Sequence, residues 1–153
     1  MTQLTAHFSL DELTHTEQRQ LDNTPPPELL PELLETALMM ERIRAALSAA
    51  KGQQVPILVS SAYRSEAVNQ AVGGSPRSDH VKAAAVDFKA PAFGTPYQVS
   101  KFLAAHMDAL EIGQVIHEFG RWVHVSRITP AKVFNRAITI SRAGVEVGIQ
   151  EVA

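Results

Sequence analysis

The chain has 153 residues, a formal net charge of −2, 45% hydrophobic and 20% charged residues, and no cysteine. That make-up is one globular domain with room for a real core. It offers no electrostatic case for nucleic acid or an anionic membrane surface, and it excludes disulfides and thiolate zinc sites. Residues 1–7 lack the basic start and apolar run of a secretory signal, and no apolar run approaches transmembrane length. The expectation is a protein made in the cytoplasm and working as a monomer.

Ser9-Leu10-Asp11-Glu12 is a capping box that predicts a short helix, and Thr14-His15-Thr16-Glu17 repeats the pattern. Residues 23–27 form a turn extended by three prolines. A long amphipathic helix is expected from about residue 28 or 31 to 50. Leu30, Leu33, Leu34, Ala37, Met40, Ile43 and Leu47 mark its buried stripe, and Gly52 ends it. Residues 55–61 read as a strand with Pro56 near its start. Ser65 caps a short helix to residue 71 or 72, closed by Gly73-Gly74, and residues 75–77 form a loop leading to His80. Residues 84–88 make the next strand. Thr95-Pro96-Tyr97-Gln98 then combines a cap, an N1 proline and a Gln at the third helical position, opening a helix to about residue 109. Residues 114–119 and 122–127 read as a hairpin around Gly120, and 137–141 with 145–149 as one more strand pair. The class is α+β: a small, mostly antiparallel sheet with flanking helices.

Two stretches carry the chemistry. In the strand over 84–88, alternation sends Ala85 and Asp87 to one face and Ala84, Val86 and Phe88 to the other. In Trp122-Val123-His124-Val125-Ser126 the same period puts Trp122, His124 and Ser126 on one face. His80 and Asp87 stand too far apart for adjacent turns of one helix, but they converge if His80 ends a loop and Asp87 sits on the strand after it. Two imidazoles and a carboxylate suit a zinc ion with one open position, and a metal offsets the desolvation of an acid set in an apolar strand. Each residue also has a plainer reading, as a hydrogen-bonded histidine or a loop-capping carboxylate.

The pattern Ser78-x-His80-x-x-Ala83-x-Ala85-x-Asp87 resembles the S-x-H-x-x-G-x-A-x-D signature of the zinc D-Ala-D-Ala peptidases, the peptidase M15 family with the hedgehog/DD-peptidase fold. Trp122-Val123-His124-Val125-Ser126 is similar to the family's third-ligand segment, and Ser61-Ala62-Tyr63-Arg64-Ser65 to its S-G-Y-R-S segment. Residues 22–27 are similar to the start of the family's smaller, phage-associated members. The resemblance runs over roughly residues 7 to 127. Ala83 departs from it, standing where the family usually has a Gly that marks a positive φ.

The resemblance implies a single zinc peptidase domain over residues 1–153, with His80, Asp87 and His124 as metal ligands. It implies hydrolysis of stem or cross-link peptides of bacterial peptidoglycan, by a D,D-carboxypeptidase or an endopeptidase of the phage-lysin kind, reaching the wall after release by a separate factor. It also implies that Arg64 binds a substrate carboxylate, for which a guanidinium has the geometry; a salt bridge to Asp87 or Glu66 is the plainer role. Ser78 and Trp122 are candidate substrate contacts. The base does not carry over, because Arg121 and Trp122 occupy the positions where the family often has it. Glu118 is the candidate if the hairpin loop is Phe119-Gly120-Arg121, since it then pairs with Trp122 on the face of His124. A one-residue change in that loop brings His117 round instead. Two alternatives stand beside the peptidase: an inactive zinc-containing module that binds peptidoglycan or serves a virion, and a dipeptidase acting on free D,D-dipeptides.

Overall fold

Six strands form the scaffold of the computed structural model, which describes residues 2–152. They are β1 (Leu58–Ser61), β2 (Ala85–Lys89), β3 (Gln114–Glu118), β4 (Trp122–Ser126), β5 (Ala137–Ser141) and β6 (Gly144–Val147). Their order in the sheet is β1-β2-β4-β3-β5-β6, and every neighbouring pair is antiparallel except β3 with β5. Among the described residues five α-helices flank the sheet: α1 (Leu10–Leu13), α2 (Leu30–Lys51), α3 (Glu66–Ala71), α4 (Pro96–Ala104) and α5 (Met107–Leu110). The class is α+β, as the element pattern predicts. No helix among the described residues is long and apolar enough to cross a membrane.

The caps act where the residues place them. Ser9 Oγ accepts from the Glu12 N–H at 3.1 Å while the Glu12 carboxylate accepts from the Ser9 N–H at 3.2 Å, so α1 starts with both orphan donors satisfied. Thr95 and Gln98 do the same for α4. The second pattern, Thr14 to Glu17, forms no helix. Thr14 instead closes α1 by donating to the Leu10 carbonyl at 2.8 Å, and no apolar periodicity follows to give a new helix a buried face. The chain is led away by Asn23, whose amide nitrogen donates to the carbonyls of Thr14 (2.9 Å) and Tyr63 (3.0 Å) and whose amide oxygen accepts from the Ser65 N–H at 2.7 Å.

Helix α2 spans 22 residues and stops at Gly52, which takes φ +73° and donates to the Ser48 carbonyl. Its buried face is rotated from the expected stripe: Leu30 and Leu34 are exposed, while Thr36 and Met39 are fully buried. Thr36 tolerates burial because both capacities of its hydroxyl are used, donating to the Ala83 carbonyl at 2.6 Å and accepting from Arg127 Nε at 2.9 Å. The single helix expected over 95–109 is broken at His106. There the imidazole reaches back to the Phe102 carbonyl at 2.7 Å, competing with the helical ladder.

The sheet has two unlike faces. Val86 and Phe88 of β2, Val115 of β3, and Val123 and Val125 of β4 join α2 and α4 in one core. Each such buried side chain contributes about 1.5–3 kcal/mol. The opposite face carries Asp87, Glu118, Trp122 and His124.

Candidate metal centre

Register brings the first two groups together, because β2 and β4 pair so that Asp87 lies directly across from His124. His124 Nδ1 is 2.9 Å from Asp87 Oδ1. His80 arrives from the loop before β2. Ser78 Oγ accepts from its N–H at 3.2 Å, and its carbonyl accepts from the N–H groups of Arg64 (3.1 Å) and Ala83 (3.2 Å). The His80 ring is oriented from behind: Nδ1 donates to the Ala62 carbonyl at 2.7 Å, which turns Nε2 toward Asp87 Oδ2 at 3.2 Å. All three side chains are buried.

Ala83 accounts for the shape of that loop. It adopts φ +58°, the left-handed conformation that a glycine takes freely. An alanine pays roughly 1–2 kcal/mol there. The bond from Thr36 to its carbonyl and its own N–H bond to His80 hold the turn in place, so His80 is delivered without a glycine.

A donor atom from each of His80, Asp87 and His124 lies within 4.8 Å of the others, and the three could hold a metal ion. The two histidine nitrogens approach the Asp87 carboxylate from separate sides, His124 Nδ1 at 2.9 Å from Oδ1 and His80 Nε2 at 3.2 Å from Oδ2. The chemistry of the set also fits. Burial alone would raise the Asp87 carboxyl, but the His80 and His124 imidazoles outweigh it and hold the group well below the usual carboxylate range. Burial alone would lower His124, yet its hydrogen bond to Asp87 and the charges of Asp87 and Glu118 raise it. Such a cluster favours a cation among its members.

Glu118 and His117 fall on opposite faces. The hairpin turn is Phe119-Gly120-Arg121, Glu118 pairs with Trp122, and Glu118 Oε1 is 3.7 Å from His124 Nδ1. Burial and the charge of Asp87 push the Glu118 carboxyl up, against the pull of His124 and Arg64. His117 turns into the opposite layer, where Nδ1 donates to the Gln150 carbonyl at 2.8 Å and the ring lies against Tyr97.

Arg64 stands beside the cluster with Nη2 3.3 Å from Asp87 Oδ2, Nε donating to Ser61 Oγ and Nη1 to Asn69 Oδ1. Three of its five donors are so engaged. Asn69 is buried and anchored by its bond to the Ser75 carbonyl, and Gly74 leaves it room because a Cβ there would collide with the amide. Ser78 and Trp122 line the same groove, whose volume is about 850 Å³.

The motif reading passed over Asp79, which lines the groove and accepts from Ser126 Oγ at 2.7 Å. It sits at the free position between Ser78 and His80, so pattern gave it no weight. Alternation does put Ser126 on the face of His124, and that was the available signal. Asn23 and Ala62 fall inside segments that carry the resemblance, but their roles, a clamp across 40 residues and a backbone carbonyl that orients His80, have no local signature.

A family profile described as Peptidase M15 matches residues 6–126. The chain belongs to the Peptidase M15 family. The matched span holds the histidine pair, Asp87, Arg64 and Glu118, and it stops before β5 and β6. A comparison with curated proteins gives no match.

Proposed function

We propose that this peptidase is a zinc enzyme that hydrolyses peptide bonds in the stem or cross-link peptides of bacterial peptidoglycan. The observation that carries the reading is the grouping of His80, Asp87 and His124, with Glu118 beside them, in an open groove of about 850 Å³. His80 Nε2, an Asp87 oxygen and His124 Nδ1 would hold the ion. When bound, zinc supplies Lewis-acid polarisation of a carbonyl and acidification of water.

The chain's own groups do the rest. Glu118 takes the proton of the attacking water at a carboxylate oxygen and returns it to the departing amine; burial and the charge of Asp87 push its pKa up, the direction that suits a group which must both accept and return a proton. Arg64 has two donors free for a substrate carboxylate, while its bond to Asp87 keeps the guanidinium at the edge of the cluster. Trp122 and Ser78 border the bound peptide. A dipeptide extends about 7 Å and occupies a small part of such a groove, which favours a longer peptide over free D-Ala-D-Ala. In this reading the protein acts as a lysin of the phage kind.

The test is release of soluble peptides from purified peptidoglycan, followed by mass, with zinc and after chelation. Zinc-dependent release is expected. Glu118→Ala should lower turnover about 10²- to 10⁴-fold while zinc stays bound. No release from folded, zinc-loaded protein sinks the enzyme reading and leaves a zinc-containing binding module.

A further inference from the structure

A second cavity, of about 700 Å³, adjoins the groove, and the two share Phe119 and Trp122. Its other walls come from Arg121 in the β3–β4 turn, from β5, the turn after it, β6 and residues 150–152. Arg121 apart, these walls lie beyond the residues matched by the family profile. Thr139 of β5 pairs with His117 on one side and Glu146 of β6 on the other. That register puts the cavity on the face opposite His124, reached from the groove round the β3–β4 turn.

The chemistry of the cavity is mixed and unspent. Arg121, Arg142, Glu146 and Glu151 line it and are exposed. Among the described residues, the arginine ion pairs belong to Arg42, Arg64, Arg127 and Arg136. Those of the glutamates belong to Glu17, Glu32, Glu41, Glu111 and Glu118. Exposed charges alone are ordinary; their position in a cavity that adjoins the groove across Phe119 and Trp122 is what gives them meaning. The ridge between the cavities is aromatic, with the Phe119 ring tilted against Trp122 at 5.6 Å between centroids. The Trp122 indole N–H is shielded from solvent and has no acceptor among the described residues.

We propose that this second cavity is a substrate subsite that takes the second arm of a branched, cross-linked peptide while the arm to be cut lies in the metal groove. Carboxylates of the second arm meet Arg121 and Arg142, and its ammonium groups meet Glu146 and Glu151. A neutral glycan would leave all four charges unanswered, and a free dipeptide is too short to reach round the turn. The inference rests on the peptidase reading of the metal groove and makes the enzyme an opener of cross-links.

Trp122 is the sole tryptophan, so its fluorescence reports on the ridge between the two cavities. The zinc-loaded Glu118→Ala protein is titrated with a linear stem pentapeptide ending in D-Ala-D-Ala and with a cross-linked dimer of stem peptides, with calorimetry in parallel. The dimer is expected to bind about tenfold more tightly, the gain of one or two charge-assisted hydrogen bonds. Adding Arg142→Ala and Glu146→Ala, both on exposed positions, should bring the dimer down to the affinity of the linear peptide and leave the latter unchanged. In the zinc enzyme with Glu118 intact, the same pair should raise KM for the dimer with little change in kcat. Equal binding of the two peptides, or a dimer advantage that survives both substitutions, overturns the subsite alone. Binding of neither peptide overturns the subsite together with the peptidoglycan reading beneath it.

Discussion

On β2, Val86 and Phe88 turn into the core while Asp87 turns to the groove; on β4, Val123 and Val125 turn in while His124 turns out. The same two-residue period builds both faces, yet they are held by different forces. The inner face depends on apolar area and close packing, which any well-fitting side chains can supply. The outer face depends on three donor atoms meeting at one point, which only these residues at this register supply. Stability and chemistry are therefore written on opposite sides of the same strands, and substitutions should separate them.

The largest separation is expected at His124. His124→Ala should abolish peptide hydrolysis and weaken zinc binding by more than about 100-fold, beyond what loss of a supporting group costs. Competition against a chelating dye measures this, and unchanged zinc affinity would remove His124 from the ligand set. Phe88→Ala, one residue from Asp87, should cost about 3–5 kcal/mol of stability while the folded molecules keep their zinc affinity. Denaturant melts read the first quantity and zinc titration the second; loss of zinc binding without loss of stability would show that the faces are not separable.

Ala83→Gly is the finest probe. It relieves the left-handed strain behind His80, about 1 kcal/mol, against the lost methyl and the greater freedom of glycine in the unfolded chain. A net gain below about 1 kcal/mol is expected, with turnover unchanged, and Ala83→Val should go the other way. A loss of zinc affinity in Ala83→Gly would mean that the strain itself sets the His80 position.

Local chemistry was legible from neighbours in the chain. Ser9 with Glu12, Thr95 with Gln98, and Gly52 act within a few residues of themselves, so their caps could be read before any fold was known. Alternation likewise put Asp87 and His124 each on a definite face, because period 2 is a property of a strand wherever it lies. The second capping pattern fails for a local reason, since Thr14 bonds back to Leu10 and no apolar period follows it, but the path the chain then takes depends on Asn23 tying it to Tyr63 and Ser65.

The choice between Glu118 and His117 belonged to tertiary structure, because one residue more in the hairpin turn would have exchanged their faces. So did the burial of Thr36, which requires the Ala83 carbonyl and Arg127 to arrive from distant parts of the chain. The parallel pairing of β3 with β5, and the cavity it helps to wall, have no sequence signature either. Residue type and period decide what a side chain can do and which way it points from its own element. Only the packing of elements decides what it meets, since contacts across the sheet depend on register and turn length together.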